Sequence, residues 1–462
     1  MKMRFLYFKR MIEFFLALSL SLSLFYFRGI SSYASEDAFI THAEEILGKE
    51  EIYTYIESGF MTMEEKIDIS GYNIKPDGFS PILTYTLKSS PWLFFVGSNF
   101  TYSINSLGNI ENIYPEYTMS LEKRDEAFDF CLERIEKMLF YMPSGMSEFD
   151  GVLYLHDYIC QNFEYDESYE SRDMYSMLKL SRGTCQGYAY LFLELARRVG
   201  ILSDVVYSDS MRHIWNCVQI DGEWYYIDLT WDDGDEFFRV SHKNFLFSEG
   251  EAESLGYHGY TKREEISCTS EKFSGQYLNN VSTPMAYFEG EWYFAENSAT
   301  VRGVSIYNEE NDTAKKIIPI DGYWRDEDNK IFVSCFSSAV SVGGKIYFNT
   351  KNKIYRYAGG ECSEIYSSPE NKQIYYLASD GKSIYFSFSQ AGDEIQNIVI
   401  PSEGDIDGDG ATNLLDVLKL SLAIEEGNFL SVDKFCADMS GDAKILSDDI
   451  DMLRNMLVTV AD

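Results

Sequence analysis

The chain has 462 residues, 45% of them hydrophobic, which is enough for several domains with packed cores. Its 74 acidic residues outnumber the 39 Lys and Arg residues and give a formal net charge of −35. So acidic a chain repels polyphosphates and anionic lipids, which argues against nucleic acid and anionic membranes as partners. Eight scattered cysteines are too few for a disulfide-stapled scaffold.

The N-terminus has the pattern of a secretory signal peptide, which we predict to cover residues 1–34. Basic residues within Lys2–Arg10 precede an apolar stretch from Phe14 to Phe27, and Ser32 and Ala34 are the small residues of a cleavage site. The apolar stretch is short for a membrane-spanning helix, although an uncleaved anchor is the alternative. We therefore expect an extracellular, secreted protein with no integral membrane association after cleavage.

Residues 35–142 mix helical and extended patterns and predict an N-terminal α+β domain. Helix-like periodicity runs from Asp37 to Tyr55 and from Leu121 to Leu139. Two apolar runs between Pro and Gly breaks, Ile82–Thr86 and Trp92–Val96, predict strands. No pattern in this part indicates chemistry, so we expect it to pack on the domain that follows.

A cysteine begins an apolar segment of helical period in the middle of the chain. Thr184 suits a helix N-cap and Gly200 suits the position after the last turn, which places Cys185 in the first turn. Unpaired backbone N–H groups and the helix dipole stabilise a thiolate at that position. Cys185 is therefore a candidate nucleophile, although a lone cysteine is more often a small buried hydrophobe.

Two strand-like runs follow, Met211–Ile220 and Glu223–Trp231, and the Asp-Gly pair between them is a strong signal for a two-residue hairpin turn. In the hairpin register, His213 and Asp228 fall on one face as diagonal cross-strand neighbours within side-chain reach. A base oriented by a carboxylate, beside a thiol at a helix start, is the arrangement that activates a cysteine nucleophile.

Two other residues compete for these roles. His156, in a helix predicted over Val152–Ile159, is a rival histidine, but it has no strand carboxylate partner, so we prefer His213. Cys217 lies four residues after His213 on the same strand face. We expect it in the core rather than as a second reactive thiol.

The sequence blocks around these residues resemble those of the bacterial transglutaminase-like domain, a member of the papain-like cysteine-enzyme superfamily. The blocks are Gly-Thr-Cys-Gln-Gly-Tyr-Ala, His-Ile-Trp-Asn and Trp-Tyr-Tyr-Ile-Asp-Leu-Thr-Trp-Asp-Asp. For a domain at 143–270, the resemblance implies a Cys-bearing helix packed on an antiparallel sheet. It also implies that Cys185 is the nucleophile, His213 the general base and acid, and Asp228 the residue that orients the imidazole. The backbone N–H of Cys185 is one expected oxyanion donor, and the second is unassigned.

Residues 271–402 change to short strands with a repeated turn-then-aromatic pattern. The pattern recurs at Gly290–Phe294, Gly344–Phe348 and Gly381–Phe386, at irregular spacings of 54 and 37 residues. These units resemble propeller blades, but about three blades do not close a ring. We predict an antiparallel β module, either an incomplete propeller or a sandwich, whose tyrosines serve mainly in core and cross-strand pairs.

Residues 403–462 carry two acidic loops, each followed by an apolar helix. Oxygen ligands at loop positions 1, 3, 5 and 12, a glycine at 6 and a backbone carbonyl at 7 are typical of an EF-hand calcium loop. The residues at the ligand positions are Asp405, Asp407, Asp409, Ala411 and Asp416 in the first loop, and Asp438, Ser440, Asp442, Lys444 and Asp449 in the second. Because clustered carboxylates repel one another without a cation, we predict two Ca²⁺ sites.

This duplicated loop–helix unit resembles a type I dockerin, which implies an all-α, EF-hand-like fold. It also implies calcium-dependent binding to a cohesin module of a cellulosome-type scaffold. The resemblance places the pairs that set cohesin choice at Leu414 and Leu415 in the first half and at Ser447 and Asp448 in the second. The two pairs are unlike, which argues against symmetric binding in two orientations.

The second loop departs from the calcium-loop pattern at two positions. Ala443 replaces the glycine, and Leu446 replaces a polar residue. An alanine where the backbone needs a positive φ costs about 1 kcal/mol. We therefore expect the second site to bind Ca²⁺ more weakly than the first.

The sequence thus predicts a multidomain α+β protein that is secreted, docked to a scaffold and able to transfer acyl groups from protein or peptide substrates. Three functions compete. A peptidase or amidase passes the acyl group to water, and a protein-glutamine gamma-glutamyltransferase passes it to a lysine amine. A non-catalytic component uses the groove only to bind protein or carbohydrate. The intact Cys-His-Asp set argues against the last, and a small domain without an amine-donor signature favours hydrolysis.

Overall fold

The computed structural model describes residues 51–460, except for 235–238, 264, 298–301, 321, 333–335, 359, 393, 408–410 and 430–431. The predicted signal peptide, the first part of the helix predicted from Asp37, and Asp409 lie outside the described residues. The described chain forms two compact units, one containing residues 51–139 and 146–400 and the other containing residues 140–145 and 401–460. Within the described ranges, no helix combines the length and the apolar character needed to cross a membrane.

The N-terminal part of the first unit is a small antiparallel sheet with helices. Its elements are α1 (Glu51–Met61), β1 (Ile67–Asp68), α2 (Pro76–Ser89), β2 (Val96–Ile104), β3 (Ile110–Tyr117) and α3 (Leu121–Phe140). The strand order in the sheet is β1-β3-β2. The long helix predicted from Leu121 is therefore confirmed. Phe60, Phe95 and Ile113 are fully buried in the core that these elements share.

Both strands predicted in this part need correction. The run Ile82–Thr86 is the middle of α2, not a strand. Pro76 at the start of α2 has a φ angle already suited to a helix, and an apolar run this short does not distinguish helix from strand. The strand predicted over Trp92–Val96 begins only at Val96.

The middle of the chain packs a buried helix on a three-stranded antiparallel sheet. Its elements are α4 (Glu148–Asn162), β4 (Glu164–Tyr165), α5 (Met174–Leu180), β5 (Arg182–Gly183), α6 (Cys185–Arg198), β6 (Ser203–Ser208), β7 (His213–Ile220), β8 (Glu223–Ile227), α7 (Leu229–Asp232) and α8 (Glu249–Leu255). The sheet order is β6-β7-β8, and α6 packs against β6 and β7. This confirms the expected arrangement of a Cys-bearing helix on an antiparallel sheet.

The hairpin of β7 and β8 has the predicted turn and register. Asp221 and Gly222 have φ angles of 53° and 81°, as a type I′ turn requires, and Ile220 pairs with Glu223. The predicted continuation of the second strand to Trp231 is wrong, because β8 ends at Ile227. The chain turns there into α7, and Asp228 is the N-cap residue of that short helix.

The β-rich part consists of three antiparallel sheets and one short pair of strands. Its strands are β9 (Met285–Phe288), β10 (Glu291–Asn297), β11 (Arg302–Asn308), β12 (Thr313–Pro319), β13 (Trp324–Arg325), β14 (Ile331–Phe332), β15 (Ala339–Val342), β16 (Lys345–Asn349), β17 (Lys353–Ala358), β18 (Glu361–Ser367), β19 (Tyr375–Ser379), β20 (Ser383–Ser387) and β21 (Ile395–Val399). The three turn-then-aromatic sequences form β10, β16 and β20, which are the second strands of their sheets. In the described residues the sheets do not close into a ring.

Helix α4 joins this β-rich part to the Cys-bearing helix. It packs against β9 and β19 and also against α6. Trp292 Nε1 donates to Asp150 Oδ1 at 2.7 Å, and Asn162 Nδ2 donates to the Ser379 carbonyl at 3.2 Å, so both ends of α4 are tied to the sheets. The β-rich part therefore supports the helix on which α6 rests.

The second unit contains three helices that follow the two acidic loops and their linker. They are α9 (Leu414–Glu426), α10 (Lys434–Ala437) and α11 (Ser447–Val460), and α9 packs against α11. Leu420 and Leu453 are fully buried between them, and Ile406 of the first loop joins the same core.

Candidate active site and calcium loops

Cys185 is the first residue of α6, where the predicted N-cap, Thr184, has an extended backbone. The thiol therefore lies beside the unpaired N–H groups of the first helical turn, which favour a negative charge. The glycines on either side of this cysteine have a packing role. A Cβ atom on Gly183 or Gly187 would lie 2.7 or 2.9 Å from the sulfur of Met177 in α5. Both glycines let α5 pack directly against the start of α6.

A buried asparagine fixes β7 against α6. Asn216 is 1% exposed, and its Nδ2 donates to the carbonyl of Ala189 at 3.0 Å. This bond fixes the position of β7 along the axis of α6. His213 begins β7 and Cys185 begins α6, so the bond also sets the two residues relative to each other. The asparagine of the His-Ile-Trp-Asn block thereby has a structural role that the sequence analysis did not assign.

The structure brings the three predicted residues, Cys185, His213 and Asp228, together. His213 Nε2 donates to Asp228 Oδ2 at 2.6 Å, and Cys185 lies near enough to the imidazole to help raise its pKa. The His213 side chain is 8% exposed and Asp228 is 1% exposed, whereas Cys185 is partly accessible. A base bonded to its orienting carboxylate thus lies beside a partly accessible thiol.

The surroundings of His213 favour its charged form. Burial acts to lower the pKa of His213, but the charge and hydrogen bond of Asp228, with those of Cys185, raise it to about 10. The ring is stacked between Trp231, at a centroid distance of 5.0 Å, and Trp215, at 5.6 Å. An imidazolium is therefore the favoured form at neutral pH, and the two indole faces hold it in place.

Asp228 accepts four hydrogen bonds. Its Oδ1 accepts from the backbone N–H groups of Thr230 at 3.1 Å and Trp231 at 3.3 Å, as the N-cap of α7. Its Oδ2 accepts from His213 and from the Tyr257 hydroxyl, the latter at 2.8 Å. A carboxylate held by four donors keeps its charge and its orientation when buried.

The rival histidine, His156, belongs to a separate buried network. His156 Nδ1 lies 2.8 Å and His242 Nε2 lies 2.9 Å from the same oxygen of Asp157. His156 Nε2 is also 3.3 Å from Asp232, and all four side chains are at most 2% exposed. The two rings bond directly to one carboxylate oxygen, so these groups form one buried network. Within this network, His156 does not contact Cys185.

Sequence reasoning missed three residues of this region. Trp231 is 40% exposed and covers His213, and Tyr257 and His242 contact Asp228 and Asp157 from distant parts of the chain. Trp231 lies inside one of the three sequence blocks that resemble the transglutaminase-like domain, so the sequence could have indicated it. Tyr257 and His242 lie outside every block, and only the fold brings them to the site.

The first acidic loop gathers three of its predicted ligands. Carboxylate oxygens of Asp405, Asp407 and Asp416 lie within 4.8 Å of one another. Asp416, which is fully buried, also accepts the backbone N–H groups of Ile406 at 2.7 Å and Asn413 at 2.7 Å. Three carboxylates with one oxygen each this close together fit a hard cation such as Ca²⁺.

In the second loop, the carboxylates accept hydrogen bonds from backbone N–H groups. Asp438 accepts from the N–H groups of Gly441 at 2.7 Å and Ala443 at 3.0 Å, and Asp449 accepts from Ser440 N–H at 2.9 Å. Among the described residues, the carboxylates of this loop do not form a group of three within the same distance. Ala443 has the positive φ of 62° expected at the glycine position.

The four predicted recognition residues are all at the surface. Leu414 is 75% and Leu415 is 59% exposed, and Ser447 and Asp448 are exposed as well. They occupy the first turns of α9 and α11, and the leucines belong to the exposed face of α9.

Two family models match the chain. The model for the transglutaminase-like superfamily matches residues 141–229, and the model for the dockerin type I domain matches residues 403–458. The first matched segment contains Cys185, His213 and Asp228, and the second contains both acidic loops.

Curated relatives and solved structures are similar over limited parts of the chain. Kyphoscoliosis peptidase of Mus musculus is 28% identical over 128 residues, which are 23% of this chain and 19% of that protein. Its Homo sapiens counterpart is 28% identical over 112 residues, 20% of this chain and 17% of that protein. The chain thus spans about a fifth of the length of these relatives. The solved structure of a TGase is 14% identical and covers 38% of this chain and 56% of its own, with a TM-score of 0.23.

The type I dockerin domain is generally a calcium-binding domain, and it implies a cohesin as partner in an extracellular, cellulosomal setting. The chain therefore carries a domain of the transglutaminase-like superfamily followed by a type I dockerin domain.

Proposed function

We propose that this protein is a secreted cysteine-dependent acyl-transfer enzyme, and that it acts as a peptidase or amidase docked to a scaffold. The observation that carries the proposal is the bond of His213 to Asp228, with Cys185 at the N-terminus of α6 close enough to raise the pKa of His213. The superfamily match over residues 141–229 supports the same chemistry.

In the first half of the reaction, the Cys185 sulfur attacks the carbonyl carbon of the substrate and forms a C–S bond. The backbone N–H groups at the start of α6 face the oxygen that becomes negative. His213 then gives a proton to the leaving nitrogen as the C–N bond breaks, and an acyl thioester remains on Cys185. Asp228 keeps Nε2 of the imidazole engaged, which leaves Nδ1 as the ring nitrogen that exchanges the proton.

In the second half, neutral His213 takes a proton from the acceptor while the acceptor attacks the thioester carbonyl. The C–S bond breaks and the thiolate and imidazolium are restored. With water as acceptor the enzyme is a hydrolase, and with a lysine amine it is a cross-linking transferase. Water and amine acceptors use the same three residues, so only the reaction product distinguishes a hydrolase from a transferase.

The acceptor is tested by incubating the purified protein with casein, with and without a labelled primary amine. We expect new N-termini or released ammonia in both samples, with little label on casein, because water is the acceptor. Labelled casein with no hydrolysis would identify a transferase instead. Casein unchanged in both samples would favour a binding role for the domain.

Docking is the proposed role of the C-terminal domain. The exposed pairs Leu414–Leu415 and Ser447–Asp448 would contact a cohesin, and Ca²⁺ would hold the two loops in shape. In the first loop the ion would be bound by Asp405, Asp407 and Asp416, together with Asp409 and the Ala411 carbonyl. In the second, Asp438, Ser440, Asp442, Asp449 and the Lys444 carbonyl are the proposed ligands. Nothing in the acyl-transfer steps involves this ion.

Calcium titration of the full chain by calorimetry is expected to show two sites of unequal affinity. The second is weaker because Ala443 adopts a strained positive φ, at a cost of about 1 kcal/mol, and Leu446 brings no ligand. Replacing both Asp405 and Asp416 by alanine should remove the tighter site and abolish cohesin capture, while acyl transfer persists.

The matched control for this titration is Asp451→Ala, an exposed carboxylate of α11 outside both loops. It should leave both sites intact. Two sites of equal affinity, or cohesin capture that persists in chelator, would contradict the proposal for this domain.

A further inference from the structure

A buried tyrosine hydroxyl completes the coordination of the carboxylate behind His213. Tyr257 is 2% exposed, and its Oη lies 2.8 Å from Asp228 Oδ2. This is the same oxygen that accepts from His213 Nε2 at 2.6 Å. The hydroxyl and the imidazole therefore donate to the same oxygen of Asp228, and a change at one of them affects the other.

The tyrosine is held rigidly in this position. Its backbone N–H donates to the carbonyl of Ala252 at 2.9 Å, just after the end of α8. Its ring packs on Trp231 at a centroid distance of 4.5 Å, Phe247 at 4.7 Å and Trp215 at 4.9 Å. Two of these rings, Trp231 and Trp215, also stack on His213. One aromatic cluster thus fixes both donors to Asp228.

The phenol has one proton and two candidate acceptors, and the carboxylate receives it. Asn244 Oδ1 lies 3.2 Å from Tyr257 Oη, farther than Asp228 and without its charge. The amide of Asn244 is itself oriented by Nδ2, which donates to Asp232 at 3.0 Å. Burial and the charge of Asp228 raise the pKa of Tyr257, so the hydroxyl remains a neutral donor.

We propose that Tyr257 is a positioning residue for the Asp228–His213 pair, which draws charge from Asp228 Oδ2 and limits how strongly Asp228 holds the imidazolium. This inference rests on the proposed cysteine chemistry and deepens it. The charged and titratable groups around the hydroxyl are His213, Asp228, Asp232 and, through His213, Cys185. Loss of the hydroxyl removes one donor from Asp228 Oδ2 and leaves the carboxylate freer to rotate, and His213 then holds its proton more strongly.

The test compares Tyr257→Phe with Tyr260→Phe. Tyr260 contacts the same Trp215 ring at 5.5 Å and is half-buried, but its ring also packs on Tyr226 and it is not one of the four donors to Asp228. We expect Tyr257→Phe to lower kcat about tenfold with KM unchanged, the scale of losing a hydrogen bond to a charged group. The alkaline limb in the pH profile of Cys185 alkylation by iodoacetamide should move about one pH unit higher. Tyr260→Phe should change neither.

A double-mutant comparison separates positioning from general packing. In an Asp228→Asn background, Tyr257→Phe should no longer shift the alkylation profile, since the charged acceptor is gone. Equal behaviour of the two tyrosine variants, a shift that persists with Asp228→Asn, or unfolding of Tyr257→Phe alone would each overturn the inference. Retention of activity by Cys185→Ala in the same assay would instead overturn the cysteine chemistry itself.

Discussion

Replacement of Cys185 by alanine is expected to reduce acyl transfer by about 10⁴-fold or more, because the nucleophile acts as a unit with its base. The thiol is the only one of the three groups that bonds covalently to the acyl carbon in the proposed reaction. It lies at the start of α6 and is partly accessible, so its loss removes little packing. Stability should change by no more than about 0.5 kcal/mol. The prediction is checked by comparing initial rates and thermal unfolding of Cys185→Ala with those of the unsubstituted protein.

The control for this substitution is Cys362→Ala, which removes an exposed thiol from β18. It should retain full activity. Cys217 is a poorer control because it is fully buried, as expected for a core residue. Full activity in Cys185→Ala would show that another residue carries the chemistry.

Asp157→Asn is expected to destabilise the protein by about 3–5 kcal/mol, the scale of breaking a buried ionic network. The Asp157 carboxylate accepts from His156 at 2.8 Å, from His242 at 2.9 Å and from the backbone N–H of Met285 at 2.6 Å. An amide lacks the charge that compensates the protonated His156 ring, and it points its NH₂ group at a donor. Chemical denaturation measures the difference.

The pH dependence of stability should change in the same variant. Burial acts to lower the pKa of His156, but its bonds to Asp157 and Asp232 raise that pKa to about 9, above the ordinary 6.5. Its contribution is therefore complete below pH 6.5 and is lost as the pH rises through about 9. Burial acts to raise the pKa of Asp157, but His242 and His156 lower it to about 2. That contribution is lost only in strong acid.

Asp209→Asn is the matched control for the buried carboxylate. Asp209 is 91% exposed and pairs with Lys88 at 3.6 Å, so its loss should cost no more than about 1 kcal/mol. If Asp157→Asn lost no more stability than Asp209→Asn, and the slope of stability against pH were unchanged, the network would carry no charge in the folded protein.

The local parts of the candidate site were predictable because they depend on short-range chemistry. The Asp221-Gly222 turn fixed the register of β7 and β8, and Thr184 and Gly200 bounded α6 correctly. The contact between His213 and Asp228 follows from that register. The prediction placed Asp228 on the second strand, whereas in the structure Asp228 is the N-cap residue of α7.

The remaining parts depend on contacts between distant segments. His156 and His242 meet at Asp157, and Tyr257 reaches Asp228, only after α4, α7 and α8 have packed together. No periodicity or motif encodes those pairings. The support of α4 by β9 and β19 was missed for the same reason, because the sequence pattern indicated strands but not their packing partner.

The central claim is that Cys185 carries the acyl group, and trapping that intermediate tests it most directly. The protein would be mixed with an excess of a glutamine-containing casein peptide, quenched in acid within the first turnover, digested and mapped by mass spectrometry. We predict a thioester on the peptide that contains Cys185, absent in Cys185→Ala and present in Cys362→Ala. Turnover of the peptide with the acyl group on another residue, or with Cys185 free at every time point, would contradict the account.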